Sequence, residues 1–274
     1  MLHTISLRAA GVSRGKGQSI VSACVYAFNQ TLRDSYNGKT YYASGRSDVI
    51  SCGLILPPSA PKAFENRQAF FDAWNLAEKR KDASMGHKYT IALPNELSTG
   101  QQVEVIREFI NENFTKAGYP ALYAIHSGKA DEHLKPTGIK AVHKNREDNP
   151  HVHIIVAARK VDEHGFQATK LEGRATYKRE FLLTLRKSWA DHLNATFERL
   201  GLELRVDHRS YKDRGIDQIP TPHIGPKAMA LEMRGVKTAV GDRYRDVIRQ
   251  NRMREAQRPR TTDREIAVEA TLER

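Results

Sequence analysis

Apolar residues recur along this chain at two spacings, every second position and every three to four, and the two patterns mark different elements. Leu2–Leu7 alternates as a short strand. Val49–Leu56 reads as a buried strand that Pro57-Pro58 stops, since proline cannot donate to a ladder. Tyr89–Leu93 predicts a short strand before Pro94, and Leu202–Val206 predicts another late in the chain. The two clearest strands are Ala121–His126 and Val152–Ala158, with a long polar loop between them. Helical spacing predicts a helix from Ser19 to about Asn29. It predicts an amphipathic one from about Ala63 to Lys81 that carries Phe64, Phe70, Phe71, Trp74 and Leu76. Ser98 with Gln101 forms a capping box for a helix through Val103, Ile106, Phe109, Ile110 and Phe114, closed by Gly118. Leu182, Leu185, Trp189, Leu193, Phe197 and Leu200 predict a long helix between about Thr176 and Leu200, stopped by Gly201. Strands and helices intermix without a βαβ rhythm, which predicts an α+β fold with an antiparallel central sheet flanked by helices.

Charge changes the picture. The 274 residues suffice for one large domain, or one domain with an appendage, and carry 44 Lys and Arg against 32 Asp and Glu, a net +12. That excess calls for a polyanionic partner, and no apolar run is long enough to span a membrane, so nucleic acid is the expected one. Met1–Leu7 lacks the charged and apolar regions of a signal peptide, and the two cysteines, Cys24 and Cys52, sit in apolar stretches. Both features fit a reduced, cytoplasmic protein without a disulfide framework. Beyond Pro226 the chain is strongly charged, and Arg243–Arg274 has few large apolar residues, so it reads as a solvated helix or linker outside the core.

The sharpest candidate chemistry lies in Asn149-Pro150-His151-Val152-His153. Residues i and i+2 of a strand share a face, so His151 and His153 stand side by side at a sheet rim and can share one metal ion. A third ligand is available from His126, at the end of an apolar strand, or from His143, shortly before the pair, while His133 reads as solvated. An all-imidazole site favours Mn²⁺ or Zn²⁺ over Mg²⁺ unless phosphate oxygens and water complete the shell. Near the N-terminus, Ser13-Arg14-Gly15-Lys16-Gly17-Gln18-Ser19 is a basic, glycine-rich loop that can cradle phosphate at a helix start. On the helix that follows, Ile20, Ala23, Cys24 and Ala27 share one face, while Ser19, Ser22 and Tyr26 lie on the other.

A tyrosine after a Gly-rich Gln-Ser loop, followed much later by an Asn-Pro-His-x-His strand, resembles the MobA/MobL relaxases of the wider HUH endonuclease group. Ala92-Leu93-Pro94-Asn95-Glu96-Leu97, Asp207-His208-Arg209-Ser210, Gly215-Ile216, Pro222-His223-Ile224-Gly225-Pro226 and Met233-Arg234-Gly235 extend the resemblance over roughly residues 1 to 240. It implies a palm-like antiparallel sheet carrying the histidines, with a helix that brings Tyr26 over them. The implied activity is site- and strand-specific nicking of single-stranded DNA at a plasmid origin of transfer, for conjugative mobilisation. Tyr26 would attack the scissile phosphate and form a 5′-phosphotyrosine. A free phenol has a pKa near ~10, so only about one in a thousand is ionised at pH 7 and activation is required.

The resemblance also implies a divalent metal ion, Mg²⁺ or Mn²⁺, and accessory mobilisation proteins with a secretion-system coupling protein as partners. Residues 1–240 would form the nicking-joining domain and 241–274 a charged tail. The family places its third histidine both at a strand end and close before the pair. Here His126 and His143 divide those properties, and we take His126 because a strand end holds geometry better than a loop. Family members carry acids just before Ala-Leu-Pro, yet Gly86–Ile91 has none, which leaves the general base unassigned. Arg14, Lys16, Arg209 and Lys212 are the expected phosphate contacts, and Tyr36, Tyr41 and Tyr42 are rival nucleophiles. The competing readings are a rolling-circle replication initiator and a non-enzymatic single-strand DNA-binding protein.

Overall fold

The computed structural model describes residues 2–4, 6–43, 45, 48–127, 150–170 and 179–257. A short first strand, β1 (Leu2–Thr4), pairs in parallel with the late strand β11 (Arg205–Asp207). The central sheet is built from β2 (Leu7–Ser13), β5 (Val49–Ile55), β6 (Ser84–Ala92), β7 (Ala121–His126) and β8 (His151–Ala157). Its order is β2-β6-β8-β7-β5, and every neighbouring pair is antiparallel. Two small hairpins, β3 (Leu32–Arg33) with β4 (Thr40–Tyr41) and β9 (Val161–Asp162) with β10 (Gly165–Phe166), stand outside it.

Alternation along the strands sends side chains to two cores. On one face Tyr89, Ile91, Tyr123, Ile125, Val152 and Ile154 pack with Phe109 of α3 (Thr99–Ile110) and Trp189 of α4 (Arg179–Arg199). On the other, Leu122, Ala124 and Ile155 meet α1 (Ile20–Phe28) and α2 (Arg67–Ala77) through Ile20, Cys24, Phe70, Phe71 and Trp74. The large rings dominate both cores, since burying one withdraws roughly 150–250 Å² from water. The expected α+β fold with an antiparallel sheet between helices is what forms. The capping box also forms: Ser98 Oγ accepts from Gln101 N, and Gln101 Oε1 accepts from Ser98 N at 2.8 Å.

The differences have local causes. Leu7–Ser13 is an edge strand that the pattern did not suggest, because Ala9, Ala10 and Gly11 carry little strand preference. β6 begins five residues before the expected Tyr89, and it includes Gly86 for a reason: a Cβ there would stand 2.4 Å from the carbonyl oxygen of Val156. The helix expected over 63–81 is a 3₁₀ turn, Lys62–Glu65, then α2, which ends at Ala77. Asn66 caps α2 by accepting from Ala69 N, and the chain turns at Glu78, whose carbonyl oxygen accepts from the buried guanidinium of Arg14. Gly201, at φ +67°, ends α4 as expected, with Leu202 N donating to the Phe197 carbonyl at 2.8 Å. Among the described residues no helix is long and apolar enough to cross a membrane.

The described residues divide into two compact units, which part between His208 and Arg209. In the second, α5 (Pro226–Met233) and α6 (Ala239–Ala256) enclose a small core of Ile224, Tyr244, Met229, Val240 and Ile248. The expectation that the chain from Arg243 stays outside any core is therefore corrected: Tyr244 and Val247 are buried, on an apolar stripe between arginines. The unit continues across residue 240, and residues 258–274 lie outside the described residues.

Glu232 locks this pair of helices. Its Oε1 accepts from Thr238 N and Thr238 Oγ1, the cap of α6, and its Oε2 accepts from Arg245 at 2.9 Å. Hydrogen bonding from Arg245 first, then from Thr238, pulls the carboxyl down to about 2. A carboxyl depressed on folding adds stability that is complete above its unfolded pKa, near ~4.3, and is lost as pH falls toward the folded value. The melting of the full chain, followed by circular dichroism, should therefore worsen between pH 5 and pH 2 by more than in Glu232→Gln. Equal acid sensitivity of the two proteins would refute the lock.

Candidate metal centre and nucleophile helix

Sheet register assembles the histidines. His126 and His151 are direct partners across β7 and β8, and His153 faces Ala124 on one side and Thr90 on the other. All three share the parity of Leu122, Ala124 and Ile155, so they lie on the face that α1 and α2 cover. Their ring centroids stand 5.3 Å (His126 to His151), 5.1 Å (His126 to His153) and 5.0 Å (His151 to His153) apart. His126 is fully buried, and His151 and His153 are half-buried.

Two neighbours orient the rings. Asp48, just before β5, places Oδ2 3.2 Å from His126 Nδ1; a carboxylate only accepts, so Nδ1 is the donor and Nε2 is the nitrogen left to face an ion. The Thr90 hydroxyl lies 3.0 Å from His153 Nδ1. A ligating nitrogen about 2.1 Å from an ion puts the ring centroid about 3.2 Å away, so imidazoles sharing one ion have centroids roughly 4.5–5.2 Å apart, from right-angled to tetrahedral coordination. The observed spacings of 5.0–5.3 Å match the upper end of that range. Among the described residues no three His, Cys, Asp or Glu side chains are arranged to hold an ion as they stand. The fit is therefore one of ring spacing and donor chemistry, short of finished coordination. His133 and His143 lie outside the described residues.

Tyr26 belongs to α1, which packs against β5 and β7, the strand of His126. The helix has the expected limits. Ser19 caps its start by accepting from Ser22 N at 3.0 Å, and Asn29, in the left-handed region at φ 51°, ends it. Ile20, Val21, Cys24, Val25 and Ala27 are buried and Ser22 and Ala23 half-buried, so the apolar face is wider than sequence spacing indicated. Burial pushes the Cys24 thiol up and keeps it protonated. The Tyr26 side chain is outside what the structure describes.

The basic loop before α1 is an ordered turn. Residues Arg14–Lys16 form a 3₁₀ turn, and Gln18 closes it by accepting from Ser13 N at 3.0 Å. Here one expected phosphate contact is corrected. Arg14 is buried, donates to Asn75 Oδ1 at 3.0 Å, to Asn75 O at 3.2 Å and to the Glu78 carbonyl, and stacks on Tyr36. Its donors hold the turn against α2 and are not offered to a ligand. Lys16 is exposed in this unit, and Arg209 and Lys212 are exposed in the second. Of the Gly86–Ile91 stretch, His87 shares the face of Tyr89 and Ile91, away from the three histidines. Burial, with Lys170 nearby, pushes its imidazole down to about 4. A carboxylate does stand against the histidines, that of Asp48 just before β5, 3.2 Å from His126 Nδ1. A lone Asp before an apolar run was the only signal for it.

Residues 18–234 match the MobA/MobL family, and the chain belongs to it. It is 29% identical to the probable mobilization protein MobA of Bifidobacterium longum, over 89% of this chain and 47% of that protein. It is 26% identical to the conjugal transfer protein TraA of Agrobacterium fabrum, over 85% of this chain and 22% of that protein. The chain thus spans about half or less of these two relatives. A solved structure reported for the molecular basis of vancomycin resistance transfer in Staphylococcus aureus superimposes with a TM-score of 0.63 at 23% identity. It covers 76% of this chain and 100% of that one, which shows a common fold.

Proposed function

We propose that this chain is a relaxase that nicks single-stranded DNA at an origin of transfer, with Tyr26 as nucleophile. The observation that carries this reading is the convergence of His126, His151 and His153 on the sheet face that the Tyr26 helix covers. The Tyr26 phenol oxygen attacks the scissile phosphorus and gives up its proton. The bond from phosphorus to the 3′ oxygen breaks, and that oxygen takes up a proton, leaving a 5′-phosphotyrosine and a 3′-hydroxyl. A phenolate leaves more easily than an alkoxide, so the linkage keeps the bond energy for rejoining. A divalent ion, Mg²⁺ or Mn²⁺, bound by the three histidines would supply Lewis-acid stabilisation of phosphate charge. Asp48 and Thr90 set the orientation of His126 and His153 toward that task.

Lys16, Arg209 and Lys212 are the proposed phosphate contacts, with Arg14 withdrawn because its donors are committed inside the protein. The wider reading, a cytoplasmic nicking enzyme that works with accessory mobilisation proteins and a secretion-system coupling protein, rests on the family. Incubation with strands spanning candidate origins and Mn²⁺ tests the activity: a protein–DNA adduct that survives denaturant is expected, and its absence for every strand would contradict the reading. Binding should also depend steeply on salt. With about five phosphates neutralised, log K against log salt should slope at roughly −3.5, a loss of about 100-fold between about 50 and 200 mM. Fluorescence anisotropy across a salt series measures this, and a slope near zero would mean that the positive charge serves another partner.

A further inference from the structure

The hairpin of β3 and β4 carries an aromatic and cationic surface apart from Tyr26 and the histidines, and its interpretation rests on the DNA reading above. Its turn is tightly held. Asp34 N donates to the Lys39 carbonyl and Gly38 N to the Asp34 carbonyl, each at 2.8 Å, while Lys39 N donates to Asn37 Oδ1 at 2.9 Å. The Asp34 carboxylate is buried at the base. Oδ2 accepts from the Ser19 hydroxyl at 2.6 Å, and Oδ1 accepts from Tyr36 N and from Asn75 Nδ2, both at 3.0 Å. The hairpin is thereby tied to the cap of α1 and to α2.

From this turn Tyr36 lays its ring against the Arg14 guanidinium, 3.5 Å from its carbon to the ring centroid, yet stays 50% exposed. Beside it lies a cavity of about 210 Å³, lined by Gln18, Tyr36, Asn37, Lys39, Tyr41 and Lys81. Lys39 and Lys81 are exposed, and neither makes a salt bridge among the described residues; Asp82, next to Lys81, is taken by Arg80. The one carboxylate of the cavity, Asp34, is fully engaged. An ordered aromatic ring with an accessible surface, two ammonium groups outside any salt bridge among the described residues and the Gln18 amide form a small, cationic platform, while Asn37 is spent inside the turn on Lys39 N and the Tyr41 hydroxyl. Duplex DNA buries its bases, whereas a single strand offers a base face to stack and phosphates on either side.

The geometry points to this cavity as a subsite for one unpaired base of single-stranded DNA, stacked on Tyr36, with Lys39 and Lys81 on the flanking phosphates and the Gln18 amide nitrogen at the base edge. A tyrosine already held by Arg14 loses little freedom on binding. Because Asp34 bonds the hairpin to Ser19, a base seated there places the strand relative to the helix that carries Tyr26. Tyr36 is then a binding residue, and its candidacy as a nucleophile lapses.

Two fluorescent 16-mers of equal charge separate bases from phosphates: oligothymidylate, and an abasic deoxyribose-phosphate strand. By anisotropy at one salt concentration, the native protein should favour oligothymidylate by roughly tenfold or more, as stacking on even one aromatic ring allows. Tyr36→Ala should shrink that preference by at least about fivefold. Tyr36→Leu, which keeps bulk against Arg14 without a π face, should do the same, while Tyr36→Phe should preserve the preference. Lys39→Ala with Lys81→Ala should weaken both strands alike and lower the salt slope by roughly 1.4. If the preference survives in folded Tyr36→Ala or Tyr36→Leu while the native protein binds oligothymidylate, the subsite is refuted and the DNA reading stands. If the native protein binds neither strand at low salt, the DNA reading itself fails, and the subsite with it.

Discussion

Replacing His153 with alanine should reduce metal-dependent strand cleavage by roughly a thousandfold, and His151→Ala and His126→Ala should do the same. Loss of a ligand forfeits several kcal/mol of charge stabilisation at phosphorus, and about 4 kcal/mol corresponds to that factor. His153 and His151 are half-buried, so their removal leaves the cores intact, whereas His126 is fully buried and its alanine variant needs a thermal-melting control. Asp48→Asn gives a graded result: the ring of His126 stays, its orienting carboxylate goes, and metal affinity by calorimetry should drop about 10–100-fold. His143→Ala should bind metal normally. Loss of metal in His143→Ala with retention in His126→Ala would overturn the choice of third ligand.

Tyr26→Phe should abolish nicking while DNA affinity changes by no more than about twofold. The substitution removes one oxygen, and phosphate contacts by lysine and arginine supply most of the affinity. Any residual cleavage above about a thousandth of the native rate would mean that another group attacks. Anisotropy and a gel assay on the same strand separate the two effects.

What could be read from the chain follows from how local each signal is. β7 and β8 were legible because unbroken apolar runs define them, and His151 and His153 because strand geometry alone puts i and i+2 on one face. The capping box at Ser98 and the stop at Gly201 were legible for the same reason. Long-range register was not. The apolar strand that ends at His126 does suggest an antiparallel neighbour for the His151 strand, as found, but nothing local fixes His126 opposite His151, and its orienting carboxylate, Asp48, is 78 residues away. Arg14 looked like a phosphate ligand in a glycine-rich loop, yet its partners Asn75 and Glu78 lie 61 and 64 residues on, and only folding shows that they consume it. β2 escaped because alanine and glycine hold an edge strand without advertising it. Family resemblance reached the identity of the chain through ordered short motifs, although it set the sought acid before Ala92, where this chain has none.

The central claim is that one tyrosine on α1 becomes bonded to DNA. The direct measurement is to trap the adduct with an origin strand and Mn²⁺, digest both components, and find by mass spectrometry which peptide carries a nucleotide 5′-phosphate. The account predicts a single modified residue, Tyr26, whose labelling disappears on chelation of the metal. A nucleotide attached to Tyr36, Tyr41 or Tyr42 would contradict it.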